Sequence, residues 1–270
     1  MRVLIVTAVP AERDAVVRGV GATAPELAEL PVPGGVLHRL SPAPPTGPPL
    51  TVDVLAAGVG PAAAAAGTAA ALTAAAVART PYDLAVSAGI GGGFTTAIAN
   101  PATAPTPPAA AHLSSAAARL GSVVVADAIV AADLGAETPD GFAAVTDLGF
   151  GTVEHLPPAP LVAAVAEATD AVRGTVLTVS TVTGSAERAA ELLRRHPRAV
   201  AEAMEGFGVA EAAAAQSVPT LEVRTVSNAV GPRDRAAWRI GEALEALTGA
   251  FATIAPLLGT WTFDPEGTRQ

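Results

Sequence analysis

Three places in the chain put acids, an amide and a guanidinium where an α/β protein gathers its ligands. The first is Val218–Arg239, VPTLEVRTVSNAVGPRDRAAWR. Leu221, Val223, Thr225 and Val226 form a short apolar, β-branched run after a proline, which predicts a buried strand. The run breaks into Ser-Asn-Ala-Val-Gly-Pro, a turn-rich cluster, and Asp234 is placed to cap a following helix. Polar side chains at the carboxyl end of a strand line the ligand crevice of such folds, which makes Arg224, Ser227 and Asn228 candidates. The second place is Ala201–Gln216, where Glu205 follows Met204 and precedes Gly206 at the head of an alanine-rich helix. The third is Glu12, just beyond the apolar run RVLIVTAV of residues 2–9 and Pro10, again past a strand's carboxyl end. Carboxylates accept protons and hydroxyl groups, and an amide offers both a donor and an acceptor arm. Each has an ordinary role as well. An early-helix glutamate is commonly a solvated partner of the helix dipole, Arg224 could be a structural ion pair, and Ser227-Asn228 could be a plain strand-to-helix turn.

The elements that must position these residues alternate along the chain. Residues 2–9 read as a buried strand, and Pro10 opens a helix at an allowed early position. Pro31–Pro49 is too proline-rich for more than a hairpin, with a short strand at Val36–Leu40 and a semi-rigid loop. Thr51–Ala57 is a strand, followed by Gly58-Val59-Gly60-Pro61 and an alanine helix through Ala78. The third glycine of a dinucleotide fingerprint is out of place there, and no acid ends a following strand, so a nucleotide cofactor is rejected. Asp83–Ala88 is a strand running into the glycine loop SAGIGGGF, where Gly89, Ile90 and Gly91 let backbone N–H groups approach a ligand. Thr95–Ser122 reads as a low-complexity Ala/Pro-rich insertion. Val123–Val130 resumes a strand, Glu137–Phe142 carries a Pro-Asp-Gly turn, Leu161–Ala171 is helical, Gly174–Val182 is a strand, and a helix runs to His196. A final helix from Ala236 to about Leu258 shows an apolar stripe at Ile240, Leu244, Leu247 and Phe251, and Trp261–Gln270 is a tail. Alternation of this kind predicts one α/β domain over 1–270, a three-layer α/β/α sandwich around a mixed, mainly parallel sheet.

Composition excludes several classes. A net charge of −9 is the wrong sign for a nucleic-acid surface. There is no cysteine, so neither a disulfide framework nor a thiolate site exists. Four scattered histidines (His38, His112, His155 and His196) give no metal-ligand spacing, and no metal is expected. All 16 basic residues are Arg, which with the heavy Ala, Gly and Pro usage fits GC-biased codons. The hydrophobicity comes from alanine, not from a run of strongly apolar residues, and no basic leader precedes the first strand. A cytoplasmic protein without membrane contact is expected.

The Met204-Glu205 pair opening a helix, followed by a strand ending Arg224-Thr225-Val226-Ser227-Asn228, resembles the purine nucleosidase and nucleoside phosphorylase superfamily. Within it, Ser-Asn-x-x-Gly-Pro-Arg-Asp followed by a Trp, together with AADLGAETPDGF, is similar to the futalosine hydrolase family of N-ribosidases in an alternative menaquinone route. The resemblance spans Met1 to about Phe251. It implies the nucleoside phosphorylase fold, a small nucleoside substrate, no cofactor, and a homo-oligomer in which a neighbour can close the 5′ pocket. It implies Glu12 as activator of the attacking water and Glu205, beside Met204, as acceptor of the ribose hydroxyls. Arg224 would orient Glu12 or the water. Adenine-cleaving relatives carry Asp where Asn228 stands, and an amide there fits a 6-oxopurine such as hypoxanthine. Where related phosphorylases have a phosphate-holding hydroxyl, this chain has Ile90, which points to water as nucleophile. The usual base-stacking Phe is missing from Ala186-Glu187-Arg188, leaving Phe207 as the stacking candidate and Phe142 as a wall for the 5′ substituent. The expected reaction is hydrolysis of futalosine to hypoxanthine and the dehypoxanthine product. The alternatives are a methylthioadenosine/S-adenosylhomocysteine nucleosidase, a phosphate-dependent phosphorylase, and a non-catalytic nucleoside-binding protein.

Overall fold

A computed structural model describes residues 1–22, 26–42, 49–94 and 118–261. The first half holds strand β1 (Arg2–Thr7), helix α1 (Pro10–Gly21), β2 (Leu27–Val32), β3 (Gly35–Leu40), β4 (Thr51–Ala56), α2 (Pro61–Val77) and β5 (Leu84–Gly93). Then come β6 (Val123–Ala131), β7 (Gly135–Thr138), β8 (Gly141–Ala144), β9 (Glu154–His155), α3 (Ala159–Thr169), β10 (Val172–Thr178) and α4 (Ala186–Arg195). The chain continues through β11 (Ala199–Ala203), α5 (Gly206–Ala214), β12 (Thr220–Ala229) and α6 (Ile240–Thr260). Of the expected insertion only residues 118–122 are described, and of the expected tail only Trp261.

Ten strands form one mixed sheet in the order β11-β10-β6-β12-β5-β1-β4-β3-β2, with β9 added to β6, and β7 and β8 pair as a separate hairpin. Its two longest registers, β12 on β5 and β10 on β6, are parallel, as are those of β1 with β4 and β5. β11 also pairs back onto the end of β5 through Ala201–Gly93 and Glu202–Gly92. That last pairing curls half the sheet into a closed ring of β5, β12, β6, β10 and β11, which draws the ends of β5, β11 and β12 together.

The period of two in a strand decides which helix each residue meets. Val3 and Ile5 of β1 face the layer of α1, α3 and α6, packing with Val16, Val165, Leu247 and Phe251. Leu4 and Val6 face the opposite layer of α2 and α5, with Leu72 and Val209. Burying a side chain such as Phe251 or Leu247 contributes about 1.5–3 kcal/mol each. α6 is long and apolar enough to cross a membrane by length and composition. Its Leu247, Phe251, Ile254 and Leu258 are instead buried in this core, which explains its apolarity.

Four local expectations need correction. The glycine stretch after Ala88 is not a loop: β5 continues through Gly93, because β12 pairs with it residue by residue as far as Ala229. β11 was hidden in an alanine-rich stretch without β-branched residues beyond Val200, and its strand form comes from pairing with β10. β2, Leu27–Val32, completes a hairpin whose other arm, β3, was expected. Asp234 caps a short 3-10 turn, Arg235–Ala237, by accepting from the Ala236 N–H at 3.1 Å, so the last helix starts at Ile240 rather than Ala236.

Candidate active site

Each acid is held by the start of a helix that follows a strand. Glu12 lies in the first turn of α1, and its side chain turns back over the end of β1. Its Oε2 accepts from the N–H groups of Ala8 (3.0 Å) and Val9 (3.3 Å), and its Oε1 from the N–H of Ile90 (2.9 Å). Ile90 thus contributes a backbone donor that fixes the carboxylate. Gly89 is needed beside it, since a Cβ there would lie 2.6 Å from Glu12 Oε1 and 2.9 Å from Arg224 Nη1. Gly91 has a similar constraint, a Cβ falling 2.9 Å from the Glu202 carbonyl oxygen of the adjoining β11.

Glu205 closes the turn between β11 and α5, with Met204 half-buried beside it. Its Oε1 accepts from the N–H of Gly60 at the head of α2 (3.1 Å), so the N-terminus of that helix faces the carboxylate. Its Oε2 accepts from Arg224 Nη1 at 3.2 Å. Arg224 is fully buried on β12 and is engaged at all three nitrogens: Nε to Glu222 at 2.9 Å, Nη1 to Glu205, and Nη2 to the Ser87 hydroxyl at 2.8 Å. Burial opposes its charge, yet the carboxylates of Glu222, Glu205 and Glu12 outweigh that and hold its pKa up. Glu12 is 4% exposed, and burial raises its pKa; Arg224 and the Ile90 N–H oppose the rise while the neighbouring Glu205 reinforces it. A carboxylate made more basic in this way is suited to taking a proton from water near neutral pH.

Asn228 belongs to the same strand, four residues beyond Arg224. A bulge at Ser227 breaks the register between Val226 and Asn228 and brings Asn228 opposite Gly92. Gly92 stands three residues past Gly89 on β5, about 10 Å along the strand. The Asn228 amide is oriented locally: Oδ1 accepts from the Ser227 hydroxyl (2.8 Å) and the NH₂ donates to the Ala229 carbonyl (3.0 Å). One acceptor and one donor arm remain on the half-exposed side chain.

The structure thus brings Glu12, Glu205, Arg224, Gly89 and Ile90 into contact, with Ser227 and Asn228 further along the strand that carries Arg224. Both aromatics lie elsewhere. Phe207 is buried, packed with Ile129, Val176, Ala210 and Val226 and against the His155 ring, 5.2 Å between centroids. Its ring belongs to the core rather than to a stacking wall. Phe142 lies on β8 under the Arg195 guanidinium, 4.3 Å from its ring centroid, which pins the β7–β8 hairpin to α4. Arg195 also donates to the Ala132 carbonyl, at 3.0 Å from both terminal nitrogens.

Sequence reasoning missed Glu222, Ser87 and Glu202. Glu222 and Arg224 alternate within an apolar strand, and a charged pair at that spacing in a buried run was the available signal. Glu202 on β11 accepts from the N–H of Thr183 (2.8 Å) and from its hydroxyl, tying down the loop between β10 and α4. Burial raises its pKa against those hydrogen bonds. Among the described residues no group of three or more His, Asp or Glu is placed to hold a metal ion.

Comparison with known proteins gives the family and the fold. Residues 49–255 match the family model of the phosphorylase superfamily. The chain is 63% identical over 261 residues to a futalosine hydrolase from Streptomyces coelicolor, covering 97% of this chain and 98% of that one. It is 42% identical over 272 residues to a futalosine hydrolase from Acidothermus cellulolyticus, covering 98% and 93%. In fold it is similar to the crystal structure of an S-adenosylhomocysteine nucleosidase from Streptococcus pyogenes in complex with 5-methylthiotubericidin. The TM-score is 0.71 at 18% identity, over 96% of this chain and 97% of that one. Sequence and fold together make this chain a member of the phosphorylase superfamily and, within it, of the futalosine hydrolase family.

Proposed function

We propose that the site cleaves the N-ribosidic bond of futalosine by hydrolysis, releasing hypoxanthine, as a step of the menaquinone route. Glu12 takes a proton from the attacking water, and Glu205 accepts the ribose hydroxyls. The two carboxylates stabilise the positive charge that grows on the sugar as the bond to the base breaks. Asn228 receives the base: its free NH₂ hydrogen donates to O6 while Oδ1 accepts from a protonated N7. Adenine presents an amino group where that donor points, and a mismatched buried hydrogen-bonding site selects against it by up to about 10⁴-fold.

The observation that carries hydrolysis over phosphorolysis is the commitment of Arg224. Its three nitrogens are held by Glu222, Glu205 and Ser87, and two carboxylates face the same space. A phosphate dianion would meet negative charge there, whereas neutral water would not. The working unit is a homo-oligomer in the cytoplasm. The exposed Leu148, Phe150 and Leu156 between β8 and α3 support a covered face, and light scattering in solution tests it. The reaction is tested by incubating the protein with futalosine, inosine and methylthioadenosine, with and without phosphate, and identifying the base released. Hypoxanthine from futalosine without phosphate is expected. Adenine release, or ribose 1-phosphate formed only with phosphate, would replace this reading with one of the related activities.

A further inference from the structure

Glu222 occupies a place in the site that the proposed chemistry does not use. It is fully buried on β12, two residues before Arg224, so the strand's period of two turns both side chains to one face. Its Oε1 accepts from Arg224 Nε at 2.9 Å, while Oε2 lies against Gly206 at the head of α5, a position where any Cβ would collide with the carboxyl group. Oε2 is buried without a hydrogen-bond partner among the described residues. Such a group is unfavourable on its own, and it persists where it sets something else in place.

A guanidinium is a planar fork, so fixing its Nε edge decides where the two terminal nitrogens point. With Nε on Glu222 and Nη2 on Ser87, Nη1 is left to Glu205. Glu12 Oε1 and Arg224 Nη1 crowd the same point over Gly89, yet the hydrogen bonds of Glu12 go to backbone N–H groups. We propose that Glu222 is a positioning residue: by holding the Nε edge it turns Arg224 toward Glu205 and keeps the guanidinium from pairing with Glu12, which stays free to take the proton of the attacking water. The inference rests on the roles proposed above for Glu12 and Glu205.

The charged groups that face Glu12 are Arg224 from β12 and Glu205 from the head of α5, and the same two face Glu222. Released from Glu222, the guanidinium moves onto Glu12 and favours its anion. A base must be unprotonated to act, so the acid limb of kcat/KM moves to lower pH, by about one unit. The weaker base lowers kcat roughly tenfold while KM holds.

The test compares E222M, which keeps volume without an acceptor, with E222Q, which keeps an acceptor for Nε. E222M is expected to show the displaced limb and the lower kcat, with E222Q between it and the wild type. S87A frees another edge of the same fork and is expected to displace the limb in the same direction by less; it serves should E222M not fold. A ¹³C titration of the Glu12 carboxyl, assigned with E12Q, reads the same displacement without turnover, so a wrong substrate and a wrong role for Glu222 are told apart. Limbs that coincide in wild type, S87A and E222M overturn the proposal, as does a fall in melting temperature with no movement of the limb. E222Q and E222M that match each other overturn it too, since the acceptor at Nε would then be irrelevant.

Discussion

Replacing Glu12 by Gln separates its chemical role from its structural one. The carboxylate accepts three backbone N–H groups, from Ala8 and Val9 on one oxygen and Ile90 on the other. Gln has a single acceptor oxygen, so its best orientation keeps Ala8 and Val9 and turns NH₂ toward the Ile90 N–H. One hydrogen bond is lost, at a cost of about 1–3 kcal/mol. Against it, a buried charge and its repulsion from Glu205 disappear, so the net change in stability is small. The rate has no such offset. General-base catalysis contributes about 10²- to 10⁴-fold, which at about 1.36 kcal/mol per decade is about 3–5 kcal/mol of barrier. Steady-state assays of hypoxanthine release should show kcat falling by that factor with KM within about threefold and the fold intact by circular dichroism. An E12Q variant retaining more than about a tenth of wild-type kcat would refute the assignment of Glu12 as base.

The same substitution has a pH signature in stability. Burial raises the Glu12 pKa above its ordinary 4.5, so its contribution is fully present below that value and is lost as pH rises through the folded pKa. Denaturant unfolding should therefore show E12Q gaining on wild type as pH rises above 4.5, and parallel curves would count against the burial account. Asn228→Asp replaces the donor arm with a second acceptor against O6. Hypoxanthine release should fall about 10²-fold or more, and an unchanged rate would remove Asn228 from base recognition. Gly89→Ala inserts a Cβ 2.6 Å from Glu12 Oε1, and kcat should drop at least about tenfold, since displacing a reacting group by about 1 Å can cost about 10²-fold. Away from the site, Asp53 is fully buried and takes hydrogen bonds from Arg39 (2.7 Å from both donors), Arg2 (3.1 Å) and Tyr82 (2.6 Å). Burial works against its charge, but these donors outweigh it and lower its pKa, so its contribution holds above about pH 3.8 and is lost as pH falls through the folded pKa. Asp53→Asn should cost about 3–5 kcal/mol at pH 7 by urea unfolding, with the gap to wild type closing in acid.

The sequence announces an element where its own side chains do the packing. β1 and the first half of β12 were legible because continuous Val, Ile and Leu runs are what a strand buried on both faces requires. Glu12 and Asn228 were legible because they follow or end such strands, and Glu205 because it follows Met204 at the head of an alanine-rich helix. β11 and the glycine half of β5 were not, since their form is imposed by neighbours: Ala199–Ala203 is extended because β10 pairs with it, and Gly89–Gly93 because β12 does. The same tertiary cause hid the partner of Arg224. Local spacing offered an Arg near an active-site strand end, and only the folded chain gives it Glu222, Glu205 and Ser87 as partners from three separate elements. A lone Phe on a helix or hairpin carries no period to say which face it takes, and the folded chain packs Phe207 into the core and sets Phe142 under Arg195.

Charge arithmetic links the fold to the chemistry. Glu12, Glu205 and Glu222 surround one guanidinium, and further charge compensation comes from the N-terminus of α2 and from backbone N–H groups. A single Arg cannot neutralise three acids, and burial raises the pKa of both Glu12 and Glu222 against the pull of that Arg. That residual negative field lies where a sugar turning cationic would be stabilised and where a phosphate anion would be refused. A protein selected for stability alone would fill this volume with apolar side chains, as the rest of β12 does with Leu221, Val223 and Val226. The concentration of acids around one buried guanidinium is therefore the mark of a site that needs its electrostatics unfinished until substrate arrives.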